Sequence, residues 1–290
     1  MLGHDDLEFS VMPLAQLREL FRYPVKSMLG ESLSEAVLGS KGIDGDRTWA
    51  TRDEKRGGIR GGKKLPHLMM FSAVTGAGPV PVITAPDGST CVASNNEVHS
   101  WLSEKLDHPV TLWPLLPAEN LDHYRRGAPD HEDFEQELMT VFGRLPGEPI
   151  PDLTLFAEVL EFESPPGTYF DAFPILIMTD QSMATLAKRH PEAKFDPRRF
   201  RPNLLIDAAE ATSPFPEQAW VGKQLHIGEA VLEIVGTCPR CSMTTHATGD
   251  LPRDTKIMRH LVKEAEGNLG VYARVIKTGS VKLGQAVELM

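Results

Sequence analysis

No apolar run in these 290 residues approaches the roughly 20 needed to span a bilayer, so no membrane association is expected. The stretch Met1–Phe9 is acidic and lacks the basic start and apolar core of a secretory leader. Cysteine is scarce: there are three, an odd number, with Cys91 far in sequence from Cys238 and Cys241. A secreted disulfide framework is therefore not expected, and a reducing cytoplasm fits better. Positive charge is also short, with 30 Lys+Arg against 40 Asp+Glu and a net charge of -10. Nucleic-acid affinity comes largely from neutralising phosphates, so a nucleic-acid partner is not expected; an anionic ligand would need a locally basic pocket. Neither a βαβ series nor an internal repeat is present, which removes the doubly wound and solenoid classes.

What remains reads as many short strands with a few helices. Gln16–Tyr23 predicts a first strand ended by Pro24, and Arg47–Thr51 a second, rich in β-branched and aromatic residues. Lys55–Lys64 carries four glycines and reads as a mobile basic loop, a possible lid; it lacks the Gly-Lys-Ser/Thr ending of a nucleotide P-loop. Val80–Ala85 followed by Pro86-Asp-Gly-Ser predicts a hairpin, and Asn95 or Asn96 a cap for a helix bearing Val98, Trp101, Leu102 and Leu106. From Pro114 to Pro165 charged and proline-rich pieces predict a long, partly ordered connection. Beyond it, Phe173–Met178 reads as a buried strand and Thr179 as a helix cap. Leu225–Ile234 alternates around Gly228, Asp254 caps a helix ended by Gly267, and Leu269–Ile276 alternates again. The expected fold is mostly β with added helices (α+β). It divides into an N-terminal β-barrel-like domain with its long connection (12–150) and a C-terminal β-barrel (151–290).

The chemistry-bearing stretch is Val235-Gly-Thr-Cys-Pro-Arg-Cys-Ser-Met-Thr-Thr245. Arg240 lies between two thiols, and an adjacent cation favours a thiolate, which is a soft ligand and a nucleophile. Three readings stay open from the residues alone. Structural zinc would need two more ligands, such as His226 and His246; a thioredoxin-type pair would open a helix; and two buried thiols would have no chemistry. Other constellations could meet an anion. Tyr23-Pro-Val-Lys-Ser27 with Asp46-Arg47 places Lys26, Ser27 and Arg47 at strand ends. Arg198-Arg-Phe-Arg-Pro-Asn203 brings Arg201 and Asn203, and Thr179-x-x-Ser182 opens a helix. Each has a plain alternative in a solvated cation or an ordinary cap.

Taken in order, Arg22-Tyr-Pro-Val-Lys-Ser27, Gly45-Asp-Arg-x-Trp49, Phe200-Arg-Pro-Asn203, Val221-Gly-x-x-Leu-x-Ile-Gly228, Cys238-Pro-Arg-Cys-x-x-Thr-Thr245 and Gly267-Asn-Leu-Gly-Val-Tyr272 resemble the MOSC proteins. The N-terminal half resembles the barrel domain that precedes MOSC in the mitochondrial amidoxime-reducing component and its bacterial relatives. The resemblance implies a molybdenum cofactor, a molybdopterin dithiolene, with Cys241 as the protein's thiolate ligand to the metal. It implies that Lys26, Ser27, Arg47, Arg201 and Asn203 hold the pterin and its phosphate, with Thr179, Ser182 and Arg240 as neighbours. It further implies reduction of small N-hydroxylated compounds (hydroxylamines, amidoximes, N-hydroxylated bases), with a cofactor or sulfur carrier as the alternative. Pyridoxal phosphate binding is a property of the wider family. As no plant-type ferredoxin domain follows, electrons are expected from a separate ferredoxin or cytochrome-type protein. The segment Gly167–Phe173 departs from the reductases of this family, which leaves the substrate open.

Overall fold

The computed structural model describes residues 15–75, 78–156, 161–208 and 213–290. The acidic start and the first residues of the expected N-terminal domain, 12–14, lie outside these. In chain order the strands are β1 (Ala15–Arg22), β2 (Glu31–Ser32), β3 (Glu35–Gly39), β4 (Gly42–Ile43), β5 (Trp49–Asp53), β6 (Ser72–Thr75), β7 (Pro81–Thr84), β8 (Thr90–Val92) and β9 (Val110–Pro114). They continue with β10 (Ile175–Thr179), β11 (Leu204–Asp207), β12 (Gln224–Ile227), β13 (Ala230–Pro239), β14 (Asn268–Lys277), β15 (Gly279–Lys282) and β16 (Ala286–Leu289).

Seven of these strands close a barrel in the order β1-β11-β10-β14-β13-β12-β16, with β16 returning to β1. The pairings are antiparallel except β10 with β11. Closure follows from the alternation in the sequence. Leu225, Ile227, Ala230, Leu232 and Ile234 all point inward and meet Leu17, Leu20, Ile177, Leu204, Ile206, Val271 and Ala273. In β1 the inward residues Leu17 and Leu20 are three apart, because the register with β11 shifts between Leu17 and Glu19. The first strand of the chain thus completes a barrel built mainly from its second half, and β3 pairs with β15. A second apolar core gathers Val25, Met28, Leu68, Phe71, Ile83 and Val98 with Leu102, Leu106, Val110 and Leu112, beneath the sheets β5-β9 and β6-β7-β8.

The architecture is mixed α+β and mostly strand, as the alternation predicted. Several local expectations need correction. The second strand starts at Trp49 rather than Arg47, because Arg47 sits in the left-handed region at φ 48° and cannot pair there. The helix Val98–Leu106 has Glu97 at its cap position; Asn95 instead accepts the Glu97 N–H. The glycine-rich loop is not a solvated lid, since Ile59, Arg60, Gly61 and Gly62 are buried. Within the span 114–165, expected as a partly ordered connection, the described residues include the helices Leu121–Tyr124 and Phe134–Phe142, and Arg125 bridges to Phe162. None of the helices among the described residues is long and apolar enough to cross a membrane.

Candidate functional site

At the open end of β13 and β14 lies a cavity of about 360 Å³. Its floor is the end of β13, whose side chains alternate inward from Ala230 to Cys238, and the same parity carries Arg240 inward. Cys241, half-buried, sits where the strand gives way to the turn Ser242–Thr245 and lines the cavity. The two thiols are thereby made unequal. Cys238 is buried, 2.9 Å from Arg240 Nη1, and burial pushes its thiol up while Arg240 and a hydrogen bond with Tyr272 act in the opposite sense. Cys238 also lines the cavity, but it is the buried thiol of the pair and holds Arg240 in place, a role that sequence reasoning missed. Neither His226 nor His246 joins the thiols in a metal-ligand cluster among the described residues.

Cations form one wall. Arg47 is clamped by Asp46 and reaches Asn203 Oδ1 at 3.3 Å. Asn203 is fully buried and uses both ends of its amide, accepting from Leu176 N and donating to Phe21 O and Asp46. Arg201 packs 4.2 Å over the Tyr23 ring and donates to Met28 O. Burial and then the neighbouring Arg47 charge lower its pKa to about 10. Arg240 Nη2 donates to Phe200 O at 2.5 Å. Two guanidinium nitrogens on this wall, Arg201 Nη2 and Arg240 Nε, are buried with no partner. A buried charged donor left unpaired costs several kcal/mol in a protein interior, roughly 1–3 or more, so these atoms are built to meet an acceptor.

Backbone strain converges on the same residues. Ser27 (φ 71°), Arg47 (φ 48°) and Arg201 (φ 58°) are three of the non-glycine residues with positive φ, an uncommon state concentrated at functional sites. Ser27 does not line the cavity; its Oγ accepts from Gly62 N at 2.8 Å. A Cβ on Gly61 would lie 2.6 Å from that oxygen, so glycine is required for the loop to close on Ser27. Behind the wall, Lys26 Nζ meets Asp171 Oδ1 (2.9 Å), Tyr169 O (3.0 Å), Phe170 O and Ser164 Oγ (both 3.3 Å). It is buried and holds the segment Tyr169–Asp171 against the barrel, outside the cavity lining. Thr179 and Ser182 stand apart as well. Thr179 caps the helix Asp180–Arg189, and both hydroxyls donate to the buried carboxylate of Glu217, at 2.7 and 2.5 Å.

Further lining residues come from stretches that the sequence presents as loop. Lys63 lies 3.8 Å from Asp171 and 3.9 Å from Glu163. Burial works against its charge, but Asp171, Glu163 and Cys241 together hold its ammonium above the ordinary range. Asp171 is partly exposed, and although crowding at the site works against its charge, Lys26, Lys63 and Arg47 hold the carboxylate well below the ordinary range. Phe134, Leu138, Val141 and Phe142 bring an apolar helix face to the mouth. The spacing 134, 138, 141, 142 is helical, and it was the signal available within a stretch that composition presents as linker. Lys64 ties the glycine loop to this helix through Asp130 and Glu137, both at 2.5 Å.

Residues 14–113 match the MOSC N-terminal beta barrel domain and residues 165–288 the MOSC domain. The chain is 29% identical to mitochondrial amidoxime reducing component 2 of Homo sapiens over 94% of this chain and 82% of that protein. It is 36% identical to molybdenum cofactor sulfurase of Oryza sativa subsp. japonica, over 78% of this chain and 28% of that longer protein. Among solved structures, the YUAD protein of Bacillus subtilis aligns over 95% of this chain and 94% of its own at 13% identity, with a TM-score of 0.43. With both domain matches in sequence and the two together spanning most of its length, the chain belongs to the MOSC proteins that carry a MOSC N-terminal barrel.

Proposed function

We propose that this protein is a molybdenum-cofactor-dependent reductase of N-hydroxylated compounds, supplied with electrons by a separate ferredoxin or cytochrome-type protein. The observation that carries the reading is the pairing of a half-buried thiol, Cys241, with orphaned guanidinium nitrogens on Arg201 and Arg240 in one cavity. A sulfur-ligated metal on an anionic pterin needs those two things, a soft protein ligand and buried donors for phosphate and pterin acceptors. The similarity to an amidoxime reducing component over 94% of the chain supports the same reading.

Bound there, the group would supply two-electron redox chemistry, and the reaction R₂N–OH + 2e⁻ + 2H⁺ → R₂N–H + H₂O fixes what the protein must provide. Cys241 would ligate the metal. Arg47, Arg201 and Arg240 would neutralise the phosphate and orient the pterin, and Asn203 keeps Arg47 aimed. Lys26 and Ser27 act behind them, holding the Tyr169–Asp171 segment and the glycine loop. Thr179 and Ser182 keep the helix Asp180–Arg189 docked through Glu217. Burial, with the neighbouring Cys238 and Asp171, raises Tyr272 well above the usual tyrosine range, so it stays a phenol donor within the lining. The apolar face of Phe134–Phe142 would receive the body of a substrate and limit water at the mouth.

The test is Cys241→Ala in protein produced by a cofactor-synthesising host. N-reductive turnover should be lost while pterin content is largely retained, because the phosphate donors are intact. Full turnover in the variant would remove Cys241 as the ligand. Wild-type protein that retains cofactor but never turns over benzamidoxime with a chemical reductant would favour the carrier reading.

A further inference from the structure

Outside the cavity, His190, Glu192 and His260 converge from two pieces of backbone, the end of the helix Asp180–Arg189 with its following turn and the helix Lys256–Ala265. His190 ends the helix Asp180–Arg189, its N–H still bonded to Leu186 O. Glu192 follows in the turn, and His260 projects from the helix Lys256–Ala265. One ligating atom from each lies within 4.8 Å of the others. None of the three lines the cavity described above.

The arrangement is more specific than a surface cluster. The two imidazoles stack face to face, with centroids 3.7 Å apart and planes 20° from parallel. Glu264, one turn after His260, takes His190 Nε2 at 3.0 Å and is itself anchored by Arg189. With Nε2 engaged by Glu264, the other ring nitrogen, His190 Nδ1, lies 4.0 Å from Glu192 Oε1. His260 Nε2, itself buried, lies 2.9 Å from the same oxygen, so Glu192 draws both rings toward one carboxylate. Phe195, 6.3 Å from the His260 ring, backs the group with an apolar wall.

We propose that His190, Glu192 and His260 form a binding site for a divalent first-row transition ion of the Zn²⁺ class, with Glu264 orienting His190 from behind. Two imidazoles and one carboxylate suit Zn²⁺, Co²⁺ or Ni²⁺ and disfavour the all-oxygen ions Mg²⁺ and Ca²⁺. Three protein ligands leave a fourth position for water, and a carboxylate bonded to the distal nitrogen of a ligating histidine is the usual support of such a site. The ion would clamp the end of one helix to the next. Both helices pack into the core that holds Phe200, whose carbonyl receives Arg240, so the clamp braces the cation wall of the cavity from outside.

The test uses the full chain carrying Cys241→Ser, which removes the competing half-buried thiol at the cavity. Titration with Co²⁺ should give one equivalent bound, with visible bands of a tetrahedral nitrogen and oxygen site and no thiolate-to-cobalt charge-transfer band. Zn²⁺ should displace the Co²⁺, and Mg²⁺ and Ca²⁺ should not. Glu264→Gln should weaken Zn²⁺ binding by about 10- to 100-fold, and His190→Gln and His260→Gln by more. Should either histidine variant misfold, Glu192→Gln lies on an exposed turn and keeps the question answerable; it too should lower affinity at least tenfold. Absence of Co²⁺ binding overturns the site, as does binding that is unchanged in Glu192→Gln and in the histidine variants. A thiolate charge-transfer band that survives Cys241→Ser would move the ion elsewhere and overturn it equally.

Discussion

Lys26→Met separates two roles for this lysine, a donor to the bound cofactor and an anchor of the protein itself. In the structure its ammonium, with three hydrogens, faces Asp171, Ser164 Oγ and the carbonyls of Tyr169 and Phe170 between 2.9 and 3.3 Å. Breaking a buried pair by removing one partner costs about 3–5 kcal/mol. Asp171 is 45% exposed, so its share is screened and the lower end applies, about 3 kcal/mol. At about 2–4 °C per kcal/mol for a chain of this size, the cofactor-free protein should melt roughly 6–12 °C lower than wild type. Asp171→Asn should cost about 1 kcal/mol or less, because the neutral acceptors stay. Differential scanning calorimetry of cofactor-free protein decides the matter. A Lys26→Met melting temperature within about 1 °C of wild type, with loss confined to cofactor content, would refute the anchoring role and return Lys26 to the cofactor.

Three other perturbations probe the supports of the site. Asp53 accepts the N–H groups of Lys55 and Arg56 at the base of the glycine loop, and those bonds with His108 outweigh burial and lower its pKa below 3.8. A depressed folded value contributes stability above the unfolded pKa and loses it as pH falls through the folded one. Asp53→Asn should therefore destabilise at pH 7, and the gap to wild type in urea denaturation should close as pH falls below 3.8. Gly61→Ala forces a Cβ against Ser27 Oγ and should cost about 1–3 kcal/mol in the same assay; a neutral result would mean that the loop does not close on Ser27. Thr179→Val removes a cap and a hydroxyl of the Glu217 network, so chemical denaturation should show a loss of about 1–2 kcal/mol. Molybdenum content measured by elemental analysis should be unchanged, and a fall would bring Thr179 back to the cofactor.

Strict alternation from Leu225 to Ile234 and from Leu269 to Ile276 made the C-terminal strands and their hairpin readable, because a half-buried strand writes its register at period two. The ordered set of short basic and cysteine-bearing pieces likewise pointed to one family and to Cys241 before any geometry. Composition misled between Pro114 and Pro165, where proline and charge masked the helix Phe134–Phe142 at the cavity mouth. That helix buries none of its residues fully, so its apolar face gave only a weak signal against the linker background.

Local chemistry therefore determined which residues carry charge and sulfur, and which segments alternate. Tertiary structure decided what those residues face. Lys26 and Ser27 turn to the protein's own carbonyls and glycine loop; Thr179 and Ser182 turn to Glu217; Arg201 and Arg240 keep a donor unspent in the cavity. The difference is physical. A side chain's identity is local, but its partner can be supplied by backbone 182 positions away, as Phe21 is to Asn203.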